Sequence, residues 1–179
     1  IFTSPTLQMV SVTITEKGYS LIDSSGNYHK EIQEDLHTFS HTPKTLMGII
    51  AYLCYKRYQV GKLPLALVSM DNCSHNGSKL YSAIKTFADN WVKNGFVDEG
   101  FADYISDPKL VSFPWTMIDK ITPRPSEQVK KMLEEDGIEG VDIVKTSKNT
   151  YVSAFVNAEE TQYLVIEDVF PNSRPALEK

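Results

Sequence analysis

Three short polar clusters carry most of the side chains that could bind a ligand or move a proton. They are Thr13-Ile-Thr-Glu16, Ser69-Met-Asp-Asn72 and Phe113-Pro-Trp-Thr-Met-Ile-Asp119, and each follows an apolar run. In open parallel sheets, ligands bind beyond the carboxyl ends of the strands. Three such clusters on one edge would make a polar rim suited to a cofactor and a substrate. Each alone has a plainer reading, because Asp and Asn after a strand often cap a helix or form a turn. A second grouping is metal-like: His37 and His41 are one helical turn apart, and Cys73 lies close to His75. The His37–His41 interval lacks the Glu of a metalloprotease motif and its surroundings read as irregular, so no metal site is expected. Nucleophilic catalysis finds little support either. There is no G-x-S-x-G elbow, and Cys73 has only His75 beside it as a base.

The elements that must position these clusters follow from the apolar periodicity. Residues 7–14 read as a buried strand, and residues 19–42 as polar, turn-rich text with a short helix near 32–36. Thr42-Pro43 predicts a helix start, with Leu46, Ile49, Ile50, Leu53 and Arg57 at helical spacing to about Val60 and a stop at Gly61. The run Leu63-Pro-Leu-Ala-Leu-Val-Ser-Met70 has the length of a parallel strand buried on both faces. Asn76-Gly77 leads into a second long helix over 78–94, followed by a helical piece at 100–105 and a third strand at 110–113. This strand–helix alternation predicts right-handed crossovers in a doubly wound α/β unit. Beyond Pro125 the texture changes to a charged helix at 126–136 and strands near 141–144, 151–155 and 163–167 that read as an antiparallel appendage. Two regions are therefore expected, 1–125 and 126–179.

Composition narrows the partners. The chain has 179 residues, 41% of them hydrophobic, enough for a sizeable core. A net charge of −5 argues against nucleic acid or an anionic membrane, which attract a basic face. No run approaches the roughly 20 apolar residues of a membrane span. Two cysteines cannot build a disulfide framework, so a reducing cytoplasm is the expected compartment. The start at Ile1 shows no signal peptide, and both ends suggest a piece of a longer protein.

The blocks Thr13-Ile-Thr-Glu-Lys-Gly-Tyr19, Asp71-Asn-Cys-Ser-His-Asn-Gly77 and Phe113-Pro-Trp-Thr-Met-Ile-Asp-Lys-Ile-Thr-Pro123 together resemble the polyol-specific long-chain dehydrogenase/reductase family, the group of mannitol 2-dehydrogenase and fructuronate reductase. The third block is the most specific. Ile166-Glu-Asp-Val-Phe170 with Arg174-Pro175 extends the likeness over nearly the whole chain. The resemblance implies hydride transfer between NAD or NADP and a polyol or sugar-acid substrate. It also implies that this chain is the second half of a Rossmann-type doubly wound parallel sheet with a small antiparallel extension. The family's Gly-rich dinucleotide fingerprint is not here, since Gly26, Gly61 and Gly77 do not form G-x-G-x-x-G. Its Lys/Asn/His helix would fall after Lys179. The remaining enzyme is thus an expected partner, and the 179 residues alone are expected to be inert. The competing class is a non-catalytic α/β binding or scaffold module.

By the same resemblance, Asn72 matches an asparagine that stabilises the oxyanion of the deprotonated alcohol. An amide N–H aimed at a developing alkoxide is sound electrostatic catalysis; the plainer reading is a cap. Asp119 matches an acidic residue where nicotinamide and substrate meet, or else caps or pairs with Lys120. The family more often has Arg at position 120, and Lys loses the bidentate fork. Glu16, Asn72, Ile118 and Asp119 are the expected cofactor contacts, with Glu16 also able to relay protons. Asn76-Gly77 is expected to serve the backbone, and Trp115 to pack beneath the loop. The Asp71-Asn72 and Ile166-Glu-Asp168 blocks look closer to the mannitol and fructuronate branch than to the tagaturonate branch.

Overall fold

Parallel pairing of three strands organises the first part of the chain. In the computed structural model, which describes residues 1–119, 123–157 and 163–178, with Asp119 in its backbone alone, β1 (Met9–Val12) pairs with β2 (Leu65–Ser69), and β2 pairs with β3 (Val111–Ser112). The register sets Met9 opposite Ala66, Val12 opposite Ser69 and Leu65 opposite Val111. All five β2 residues are buried, as its unbroken apolar run requires of a central parallel strand.

Between β1 and β2 the chain forms a 3-10 turn (Glu16–Tyr19), α1 (Lys30–His37) and α2 (Leu46–Gln59). Between β2 and β3 it forms α3 (Asn76–Lys93) and α4 (Glu99–Ser106). Helix α3 buries Leu80, Ile84, Phe87, Ala88 and Trp91, an i, i+4, i+7, i+8, i+11 stripe, against the other helices and the sheet. The α/β class and the parallel sheet agree with the expectation from sequence.

The start of α2 differs. Thr42-Pro43 does not open the helix; Thr45 is the cap, and its hydroxyl accepts from Gly48 N at 3.1 Å. The cause is Asp35, buried on α1. Its carboxylate accepts from Lys44 N (2.9 Å), Thr45 N (2.8 Å) and Thr45 Oγ1 (2.7 Å), which pins residues 44–45 outside the helix. Gly48 is required there, because a Cβ would lie 2.7 Å from Asp35 Oδ2.

Arg57 is wholly buried, with no carboxylate partner among the described residues. Its guanidinium instead donates to the carbonyls of Phe2, Ser4, Leu7, Leu63 and Pro64, using all five N–H groups. The entry to β1 and the entry to β2 are thereby tied to one side chain.

After β3, residues expected to form a loop contain a strand, β4 (Thr116–Asp119). Helix α5 (Glu127–Glu135) follows, then β5 (Val144–Lys145) and β6 (Tyr151–Val152), an antiparallel pair with Val144 opposite Val152. The last strand, β7 (Tyr163–Ile166), pairs with β4 rather than with β5 and β6. The appendage is therefore two small sheets. Internal contacts divide the chain into one unit of Ile1–Met117 with Val165–Lys179, and a second of Ile118–Leu164. The expected division at 125/126 falls inside the second unit. No helix among the described residues is long and apolar enough to cross a membrane.

Candidate active-site edge

Strand β2 ends at Ser69, and the chain turns through Asp71 to His75 before α3 begins at Asn76. This loop is held at several points. Met70 N donates to Val12 O at 2.8 Å, Cys73 N to Asp71 Oδ1 at 2.7 Å, and Asn76 N to Cys73 O at 3.2 Å. His75, the residue before α3, has φ +56° and caps by backbone alone. His75, and not Asn72, therefore stands at the cap of α3.

Tyr19 reaches the same loop from the 3-10 turn after β1. Its hydroxyl is hydrogen-bonded to Ser69 Oγ and donates to Asp71 Oδ2, while Ser69 Oγ also donates to Asp71 Oδ2 at 3.2 Å. Burial, and then the bond to the Asp71 carboxylate, hold the Tyr19 phenol well above its ordinary pKa. The Asp71 carboxylate is thus committed to internal donors, and the exposed member of the pair is the neutral amide residue Asn72.

Glu16 stands on the same 3-10 turn as Tyr19. Its side chain is 82% exposed and lies 4.0 Å from Lys79 Nζ. It borders a cavity of about 480 Å³ lined also by Tyr19, Leu21, Tyr28, Lys79 and Ala83. Tyr19 consequently joins the turn of Glu16 to the loop of Asn72. Ile118 and Asp119 close β4, and Lys120 lies outside the described residues.

Asn76 serves the backbone, as its Asn-Gly setting led us to expect, and does so across the fold. Its amide bonds Ser69 O, Asp71 O and Thr116, and Gly77 behind it touches the segment after β3. A Cβ on Gly77 would sit 2.2 Å from Phe113 O, so only glycine permits that approach. Trp115 packs on this first turn of α3. Its ring centroid is 4.4 Å from that of His75, and Nε1 donates to Ser78 Oγ at 3.0 Å. His41 Nδ1 is bonded to Tyr52 OH at 2.7 Å, and among the described residues no group of three His, Cys, Asp or Glu is placed to hold an ion.

Ser69 and Thr116 lie inside the polar clusters expected to form this edge, but sequence reasoning gave neither them nor Tyr19 a role in building it. Tyr19 lay inside a quoted block, yet its partners are 50 and 52 positions away and no local spacing shows them.

Comparison with known proteins identifies the architecture. Residues 4–179 match the family described as the mannitol dehydrogenase Rossmann domain. The chain belongs to this family. A D-mannonate oxidoreductase of Thermotoga maritima is 53% identical over 178 residues, covering 99% of this chain and 33% of that protein. A mannitol 2-dehydrogenase of Neosartorya fischeri is 34% identical over 180 residues, covering 98% of this chain and 32% of the relative. Among solved structures, a D-sorbitol dehydrogenase in substrate-free form matches with a TM-score of 0.73 at 27% identity, over 98% of this chain and 33% of its own. A ternary complex of Pseudomonas fluorescens mannitol 2-dehydrogenase with NAD and D-mannitol matches with a TM-score of 0.69 at 33% identity, over 98% and 32%. The mannitol dehydrogenase family chain described here thus spans about a third of the length of these relatives. Its three-stranded parallel sheet is part of a Rossmann domain, as the motif blocks led us to expect.

Proposed function

We propose that this chain is part of an NAD(P)-dependent oxidoreductase acting on a sugar acid of the mannonate/fructuronate type, with polyols of the mannitol type as the next choice. The observation that carries this reading is the 53% identity, over nearly the whole chain, to a D-mannonate oxidoreductase. The donor chemistry of the edge supports it: an exposed Asn72 on a loop whose Asp71 is already satisfied by Tyr19 and Ser69. Nicotinamide, when bound, takes the hydride from the substrate carbon or returns it.

The chain's own residues have distinct tasks in this reading. Asn72 donates an amide hydrogen bond to the oxygen of the reacting alcohol, stabilising negative charge as the proton leaves for a base elsewhere in the enzyme. Glu16, Ile118 and Asp119 border the coenzyme, with Glu16 able to pass protons because its carboxylate is largely in solvent. Asp71 does not react; it orients the loop. A reducing cytoplasm is the compartment we assign, and both Cys54 and Cys73 are free thiols.

The test is a substrate panel on the full-length protein, with D-mannonate, D-mannitol and D-sorbitol offered with NAD⁺ and NADP⁺. Coenzyme reduction with D-mannonate ahead of the polyols is expected. Reduction of neither coenzyme by any of them would overturn the reading. In the active enzyme, Asn72→Ala should lower kcat about a hundred-fold or more, whereas a loss of only a few-fold returns Asn72 to a turn-forming role.

A further inference from the structure

We infer that Asn76 is a positioning residue for the reaction proposed above: its buried amide ties the loop that carries Asn72 to strand β4, and so fixes where Asn72 stands. The inference rests on that functional reading and adds a residue to it.

Asn76 is fully buried at the first position of α3. Its Oδ1 accepts from Thr116 N at 3.1 Å and from Gly77 N at 2.8 Å. Its Nδ2 donates to Thr116 Oγ1 at 2.8 Å and Asp71 O at 2.9 Å, with longer approaches to Thr116 O at 3.3 Å and Ser69 O at 3.4 Å. A side-chain amide that accepts from the N–H of a residue and also faces its C=O imitates one peptide unit of a neighbouring strand. Asn76 therefore supplies a single rung between the end of β2 and the start of β4. Thr116 completes it, because its hydroxyl donates in turn to Ser69 O.

The consequence falls on Asn72. The preceding residue, Asp71, is held at its carbonyl by Asn76 and at its carboxylate by Tyr19, Ser69 and Cys73 N. The following residue, Cys73, is held through its N–H by Asp71 and through its carbonyl by Asn76 N. An exposed residue bracketed by two such neighbours keeps little backbone freedom. That is what preorganised stabilisation of an oxyanion demands, since a donor displaced by about 1 Å can cost a hundred-fold in rate. No nearby apolar side chain could replace the tie, because the carbonyl of Asp71 and the oxygen of the Thr116 hydroxyl would lose the donor that Asn76 supplies, while Ser69 O would keep only Thr116 Oγ1.

Asn76→Ala removes the whole rung and is at risk of misfolding, so Thr116→Val and Thr116→Ser make the decisive pair. Valine keeps the shape and backbone contacts of Thr116 but deletes both hydroxyl bonds; serine retains them. In the full-length enzyme, Thr116→Val should lower kcat about ten-fold while the coenzyme Kd stays within about two-fold, and amides 71–77 should exchange hydrogen faster. Thr116→Ser should restore both. Native kcat and native exchange in Thr116→Val overturn the proposal, and so does a serine variant that fails to rescue. Should the unaltered enzyme turn over no sugar acid or polyol, the functional reading falls first. Hydrogen exchange then judges the tie separately: unchanged protection at 71–77 in Thr116→Val overturns it, and faster exchange supports it.

Discussion

Replacing Arg57 by methionine tests how much of this fold hangs on one buried cation. The guanidinium makes five hydrogen bonds of 2.6–3.0 Å to main-chain carbonyls of residues 2, 4, 7, 63 and 64. Methionine would fill much of the volume and supply none of the donors. Three of the five carbonyls keep another partner: Ser4 O has Leu7 N, Leu7 O has Asn172 Nδ2, and Leu63 O has Tyr104 OH. Phe2 O and Pro64 O keep none among the described residues. Two orphaned acceptors at about 1–3 kcal/mol each, with relief from desolvating the charge acting the other way, give a loss of about 3 kcal/mol. For a chain of this size that lowers the melting midpoint by about 6–12 °C. Arg57→Lys, with three donors on one nitrogen, should recover only part of the loss. Urea titration followed by the fluorescence of Trp91, which is buried in the core, gives the free energies. A shift below about 1 kcal/mol for methionine, or a lysine variant as stable as the original, would refute the account of Arg57 as a five-point staple.

Two further predictions concern burial. Tyr19 and Tyr104 are held above the ordinary phenol pKa mainly by burial, and Tyr58 is pushed up to about 12, mainly by its hydrogen bond to Asp98. A raised folded-state pKa means their stabilisation is complete below the unfolded phenol value of about 10 and is lost as pH climbs through the folded values. Tyrosinate absorbance should therefore show these three ionising only above the ordinary phenol range and together with alkaline unfolding; all nine tyrosines titrating near pH 10 in the folded protein would contradict this. Ser112 lies buried on β3 with no partner for its hydroxyl among the described residues. Ser112→Ala should leave stability unchanged or raise it by up to about 1 kcal/mol in the same urea titration, and a loss of that size would reveal an acceptor or water that the hydroxyl holds.

What the sequence made legible and what it hid divide along range. Strand β2, the α3 stripe and the strand–helix alternation are local patterns, and one period along the chain suffices to read each. The quoted motif blocks likewise carried the family. At the start of α2 the sound local signal of Thr42-Pro43 loses to Asp35, whose three donors lie nine and ten residues on. Strand β4 is not legible locally because its partner, β7, is far along the chain and its own four residues alternate weakly. The same limit applies at the candidate active-site edge. Asn72 could be named from its motif, but the bonds that set its loop join positions 19 to 71 and 76 to 116.

That division has a physical reason. A loop at the carboxyl end of a parallel sheet has left the ladder, so strand hydrogen bonds no longer hold it, and it must still be rigid if it is to present a donor to a developing charge. Side chains from elsewhere replace the ladder: a phenol from the turn after β1, and an amide from α3 that stands in for a strand peptide. The phenol reaches Asp71 across 52 positions and the amide reaches Thr116 across 40, and both contacts are partly buried, while Asn72 is exposed. Substituting Asn72 therefore tests the chemistry, and substituting Thr116 tests the frame. An enzyme in which only the first matters would show that the loop is rigid without its ties.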